Sequence, residues 1–180
     1  MHLHNRLTSS TSRTSSSALL PLSPVVPCIL ARARTFMGAL LPPSGDFSLP
    51  QLVRYAPGQK FDLHHDWYAM PQLLADGRRF NRPASFFVFL EANCTEGETW
   101  FPHIKMPEIR EDGEEGKEAG SARWRERGGG TAFRPVEGNA IFWVNLMPSG
   151  RGDGRVVHAG LPVGEGRKTG LNIWPRRFYA

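Results

Sequence analysis

Cysteine is scarce in this chain: Cys28 and Cys94 are the only two among 180 residues. Two thiols cannot build a disulfide framework or a cysteine-ligated zinc site, so both read as packed or inert, and they do not report a redox compartment. Long hydrophobic runs are missing as well. No apolar stretch approaches the roughly 20 residues that a membrane-crossing helix needs, which removes a helical membrane span from the candidates. Acidic residues are absent from the first 45 positions, where Arg6, Arg13, Arg32 and Arg34 carry much of the formal net charge of +5. Elsewhere the basic residues form no stripe interleaved with aromatics, so nucleic-acid binding is not expected. The opening MHLHNRLTSSTSRTSSS lacks the continuous apolar core of a secretory signal. Its basic, Ser/Thr-rich composition fits either an organellar transit peptide or a ragged, truncated start.

What is present is enough for one core. A hydrophobic fraction of 40% in a chain of this length predicts a single domain. Between Pro24 and Leu41 the apolar positions Val25, Val26, Ile29, Leu30, Ala33, Phe36, Met37 and Leu40 recur at helical spacing and predict one amphipathic helix. PPSGD at 42–46 reads as a linker, and LPQLVRYAPGQKFDLHHDWY as two extended pieces broken at APGQ. The aromatic and branched run RPASFFVFLEAN, Arg82 to Asn93, predicts the strongest core strand. The charged, glycine-rich segment 108–130 predicts a mobile surface loop. TAFRPVEGNAIFWVNL, GRVVHAGLPV and KTGLNIWPRRF then supply further short strands. Many short strands with one or two helices predict a mainly β (α+β) sandwich or barrel.

Along a strand, alternate side chains share a face, so in FDLHHDWY His64 and Asp66 can meet one ion while His65 points away. A third ligand must come from elsewhere. His158, flanked by valines in VVHAG, is the candidate, although a lone buried histidine is more often a hydrogen-bonded core residue. Two histidines and a carboxylate on one face suit a non-haem Fe(II) centre with open positions. Zinc accepts the same donors but would also require a general base for hydrolysis. Lys168, ten residues after His158 and across the LPVGEGR turn, is either a solvated turn lysine or a buried cation awaiting an anion.

Taken in order, RTSSS, PVVPCILARARTFMG, QLVRYAPGQKFDLHHDWY, RPASFFVFL, EGETWFP, GNAIFWVN and VVHAGLPVGEGRKTGLNIW resemble the catalytic core of the prolyl 4-hydroxylase family of Fe(II)- and 2-oxoglutarate-dependent dioxygenases. The likeness runs from about Arg13 to Phe178, with 108–130 resembling an insertion of variable length. It implies a double-stranded β-helix, the cupin-like jelly roll, over 13–180, with one or two packing helices near the N-terminus. It favours a ragged start over 1–12 rather than a cleaved peptide, and it implies that the family's preceding helical support is truncated. One departure is Thr95-Glu96-Gly97-Glu98, where the family more often has two glycines in a row; its position in a turn predicts little effect.

The resemblance also implies roles. Fe(II) would be held by His64, Asp66 and His158, the catalytic and metal-binding set. The co-substrate 2-oxoglutarate would pair with Lys168, helped by Tyr55 and Thr99, with Trp174 lining its pocket. Arg82 would bind the substrate, expected to be a proline-containing peptide or protein. Dioxygen would be consumed, succinate and CO2 released, and ascorbate would serve as reductant. Rival expectations are a small-molecule hydroxylase on the same fold and a catalytically silent metal-binding or interaction module. Such relatives often work in the endoplasmic reticulum or secretory pathway, which leaves localisation open between that route and the cytoplasm.

Overall fold

The computed structural model describes residues 12–106 and 123–179. In chain order the elements are β1 (Ser16–Leu19), α1 (Val25–Met37), β2 (Asp46–Phe47), β3 (Gln51–Tyr55), β4 (Phe61–His64), β5 (Gln72–Leu73) and β6 (Arg79–Asn81). They continue with β7 (Ala84–Glu96), β8 (Thr99–Phe101), β9 (Trp124–Arg127), β10 (Gly130–Phe133), β11 (Ala140–Val144), β12 (His158–Gly160), β13 (Val163–Ile173) and β14 (Pro175–Tyr179). Two five-stranded sheets, β1-β3-β13-β7-β11 and β4-β12-β8-β10-β9, carry the core; a four-stranded sheet β2-β14-β6-β5 extends from it. All the named strand pairs are antiparallel. This is the expected jelly roll.

Period-two alternation divides β7 between two cores. Phe87 and Phe89 join Val53, Tyr55, Phe101, Trp143, Val156 and Val163 in one cluster, while Phe86 and Ala84 join Leu171, Ile173 and the helical residues Ala33 and Met37 in the other. α1 therefore covers the outer face of the first sheet, burying Val26, Ala33 and Met37 and leaving Val25 and Phe36 exposed. Gly38 ends it with φ +50, a conformation that favours glycine.

The two extended pieces broken at APGQ form as β3 and β4 and fall in different sheets: β3 pairs with β1 and β13, whereas β4 pairs with β12. Two expectations need correction. LPVGEGR is not a turn that returns the chain beside His158, because residues from Val163 onward form β13, an eleven-residue strand of the opposite sheet. Gly166 permits the register shift there, since at φ +76 an added Cβ would lie 2.1 Å from the Asn93 carbonyl oxygen. Within the expected loop at 108–130, Trp124–Arg127 instead pairs with β10. Its charged side chains are exposed, so the strand carries no apolar alternation in sequence; backbone pairing makes it. Residues 108–122 of that loop and the 1–11 start lie outside the described residues.

Candidate metal centre

β4 and β12 are hydrogen-bonded neighbours, and their register sets His158 opposite His64. Asp66 follows two residues beyond His64, so the ligand atoms of all three side chains lie within 4.8 Å of one another. His64 is half-buried, Asp66 and His158 are buried, and among the described residues this is the group of His, Cys, Asp or Glu suited to holding an ion. His64 Nδ1 lies 2.7 Å from the Asp62 carbonyl oxygen and His158 Nδ1 lies 3.0 Å from that of Val156. A carbonyl can only accept, so each Nδ1 carries the proton and each Nε2 keeps its lone pair for a metal.

The carboxylate is oriented just as closely. Ser85 Oγ donates to Asp66 Oδ2 at 2.6 Å, and Trp174 Nε1 donates to the same oxygen at 3.0 Å. Oδ1 is left 3.8 Å from His64 Nε2. Behind Ser85, Asn145 Nδ2 donates to its Oγ at 2.9 Å. Burial alone would raise the Asp66 carboxyl, but the neighbouring His158 and these two hydrogen bonds hold it below its usual range. Burial, reinforced by His158, lowers the His64 imidazolium to about 4. Both groups are thus in their ligating forms at neutral pH.

The three ligands open onto a cavity of about 290 Å³. Lys168 lines it from β13, with no exposed surface at all. Its Nζ donates to the Gly97 carbonyl at 2.5 Å and lies 4.5 Å from the centre of the Tyr55 ring. Among the described residues no carboxylate pairs with it, and burial lowers the ammonium to about 8. Tyr55 is opposite Lys168 in the β3–β13 register, and burial raises its phenol. Thr99 on β8 is buried on the same cavity wall.

Every residue singled out from the sequence lines this cavity: His64, Asp66, His158, Tyr55, Thr99, Lys168, Trp174 and Arg82. The guanidinium of Arg82 lies 3.9 Å over the Trp174 ring and 4.8 Å from that of Tyr68, and donates to the Asp66 carbonyl at 3.3 Å. Its Nε is buried without a partner among the described residues, and burial lowers its basicity. Sequence reasoning missed Ser85 and Asn145, whose only signal is a small hydroxyl inside the apolar run ASFFVFL and an amide ending IFWVN. It also gave Arg13 no role, yet Arg13 lines the cavity beside Phe61, at 5.3 Å from that ring. His65 is exposed, although it reaches the cavity rim and stacks near Trp67 at 4.7 Å.

The family model described as the 2OG-Fe(II) oxygenase superfamily matches residues 50–176. A probable prolyl 4-hydroxylase from Arabidopsis thaliana is 32% identical over 124 residues, covering 69% of this chain and 40% of its own length. The alpha-1 subunit of prolyl 4-hydroxylase from Gallus gallus is 29% identical over 173 residues, covering 94% of this chain and 28% of its own length. The chain thus spans less than half the length of these curated relatives. A viral collagen prolyl hydroxylase from Paramecium bursaria Chlorella virus-1, solved as a 2OG complex, superposes with a TM-score of 0.67 at 25% identity, over 92% of this chain and 80% of its own. A Pseudomonas putida prolyl-4-hydroxylase shares the fold, with a TM-score of 0.55 at 20% identity over 94% of this chain and 75% of its own.

Proposed function

The chain belongs to the 2OG-Fe(II) oxygenase superfamily, and from that premise we propose that it is a prolyl 4-hydroxylase-like dioxygenase acting on a proline-containing peptide. The observation that carries this reading is one cavity holding both a two-histidine, one-carboxylate set and a fully buried, carboxylate-free lysine. The donors fit Fe(II): two neutral imidazoles with free Nε2 atoms and one carboxylate oxygen, on one side of the cavity. The lysine fits an acidic co-substrate, since burying an ammonium is costly unless it meets an anion.

Fe(II) and 2-oxoglutarate, when bound, would supply the oxidation: one oxygen atom of dioxygen goes to the C–H bond and the other to 2-oxoglutarate, which leaves as succinate and CO2, while ascorbate would serve only to return oxidised iron to Fe(II). The chain supplies position and exclusion. His64, Asp66 and His158 hold the metal, and their hydrogen bonds fix tautomer and orientation before it arrives. Lys168 pairs with the far carboxylate of 2-oxoglutarate, with the Tyr55 and Thr99 hydroxyls as further donors, and Phe61, Phe87 and Trp143 line the surrounding wall against water. Arg82, stacked on Trp174, presents its free edge to the peptide.

The test is anaerobic addition of Fe(II) and 2-oxoglutarate to folded protein, following the visible charge-transfer band of the chelate. A band that appears with wild type and fails with His158→Ala is expected, whereas folded wild type without one overturns the proposal. Hydroxylation of a proline peptide is then followed by mass. Co-substrate turnover without peptide hydroxylation would point to a small-molecule substrate, and no turnover to a silent binding module.

A further inference from the structure

Asp66 has two oxygens, and their surroundings differ sharply. Oδ2 receives hydrogen bonds from Ser85 Oγ at 2.6 Å and Trp174 Nε1 at 3.0 Å, while Oδ1 faces His64 Nε2. We propose that Ser85 and Asn145 are positioning residues that make Asp66 a one-oxygen ligand, keeping a coordination position open; this rests on the metal reading above.

The direction of the protons supports it. A serine hydroxyl has one proton to give, and it goes undivided to Oδ2 when the group behind the serine is a donor and not a competing acceptor. Asn145 is that donor, through Nδ2 at 2.9 Å. Ser85 and Asn145 have no exposed surface, so water does not substitute for either. The arrangement leaves Asn145 Oδ1 buried with no partner among the described residues. A buried orphan acceptor is a defect that folded proteins rarely keep. Turning the amide over would present oxygen to Ser85 and draw the serine proton away from Asp66. The orphan is thus the cost of pointing the amide N–H₂ at Ser85.

Asn145 is itself fixed from both sides. Its backbone N–H donates to the Pro83 carbonyl at 2.8 Å, and its carbonyl accepts from Asp153 N–H at 2.8 Å. It therefore ties the residue just before β7 to the segment that leads to His158. With Oδ2 saturated by two donors, only Oδ1 has a lone pair to offer a metal. A carboxylate released from those donors can turn both oxygens inward and occupy two positions, one of which dioxygen or co-substrate requires.

Co(II) reports this without turnover, because its visible absorption strengthens as coordination number falls. Ser85→Ala, Asn145→Leu and Trp174→Phe are titrated with Co(II), with Ser85→Thr as the hydroxyl-retaining control and circular dichroism confirming the fold. Expected are a 10- to 100-fold weaker Co(II) Kd and a weaker absorption band in Ser85→Ala and Asn145→Leu, with Ser85→Thr close to wild type. If Ser85→Ala does not fold, Asn145→Leu and Trp174→Phe decide. Variants with wild-type spectrum and Kd overturn the proposal while leaving the metal site standing. So does a fall in affinity with an unchanged spectrum, since that reports loosening and not a second oxygen. Wild type that takes up no Co(II) overturns the metal reading, and this inference with it.

Discussion

His64 and His158 lie directly opposite each other across the β4–β12 pair, with ring centroids 4.3 Å apart. A slip of one residue in that register would turn one of them to the other face, so strand pairing sets the two histidines, while Asp66 comes from the bend just beyond β4. Loss of either ring is expected to abolish tight Fe(II) binding and turnover. His65→Ala, one residue away on an exposed side chain, should leave the Fe(II) Kd within about threefold. Anaerobic Fe(II) titration of the three variants checks this, and an iron-free His65→Ala beside a metal-binding His64→Ala would reverse the assignment.

Lys168→Ala should weaken 2-oxoglutarate binding by roughly 10- to 150-fold, the worth of one charge-assisted contact of about 1.5–3 kcal/mol. Metal binding should persist, because Lys168 touches none of the three ligands. Calorimetry with co-substrate and then with metal separates the two, and an unchanged co-substrate Kd would remove Lys168 from its role.

The same lysine gives a pH signature of two signs. Burial lowers its ammonium to about 8. Between there and the ordinary lysine range near 10.5, the unfolded chain keeps a proton that the folded chain has released. Stability from this group therefore rises with pH across that window. Co-substrate affinity moves the other way, falling as pH climbs past about 8, because the anion needs the charge. Measuring 2-oxoglutarate Kd from pH 7 to 9.5 in wild type and in Lys168→Met checks this; the wild-type slope should vanish in the variant.

The i, i+2 spacing paired His64 with Asp66 in sequence, although Asp66 sits in a bend just past the end of β4; His158 and Lys168 were placed by the order of the motifs, since spacing left Lys168 open between a solvated turn and a buried position. The jelly roll itself came through the ordered motifs. Less legible was which sheet each strand joins, since β3 and β4 read as neighbours across APGQ and pair with different partners. Ser85 and Asn145 stayed hidden because a hydrogen bond spanning 60 residues leaves no trace in local composition. Glu96 carries a feature that no local pattern announces: it is the non-glycine residue with positive φ among those described, at φ 58.

That backbone angle makes a stability prediction. A residue with a Cβ pays about 1–2 kcal/mol in the left-handed region, part of which a glycine returns as lost unfolded-state entropy. Glu96→Gly is expected to stabilise the chain by about 1 kcal/mol, read as a higher urea midpoint at unchanged m-value. A lower midpoint would show that the Glu96 side chain contributes more than its backbone costs.

Gly152 and Trp67 give the opposite case. Trp67 Nε1 donates to the Asp153 carbonyl at 3.2 Å, and a Cβ on Gly152 would lie 2.2 Å from the indole ring. The contact joins the residue after Asp66 to the segment that leads into His158. Gly152→Ala must displace the ring, at a cost of about 1–3 kcal/mol for overpacking, and with it the spacing of two ligands. The expected result is lower denaturant stability together with weaker Co(II) binding. Stability lost with metal affinity intact would show that the two segments hold the centre without Trp67.

Arg82 separates peptide recognition from everything before it. Its guanidinium is clamped between the Trp174 and Tyr68 rings, at 3.9 and 4.8 Å, while its Nε has no partner among the described residues. A planar group stacked on an indole and offering a fixed edge cannot be reproduced by an ammonium on a flexible stem. Arg82→Lys keeps the charge and loses the plane, so a role in hydrogen-bonding the peptide predicts a KM for peptide raised about 10-fold or more, the worth of one or two such bonds. The 2-oxoglutarate Kd should stay near wild type if, as proposed, Lys168 and not Arg82 meets that anion. If the lysine variant matched wild type in peptide KM while Arg82→Ala did not, positive charge alone would be the requirement, and the stacked geometry would belong to holding Trp174 on Asp66.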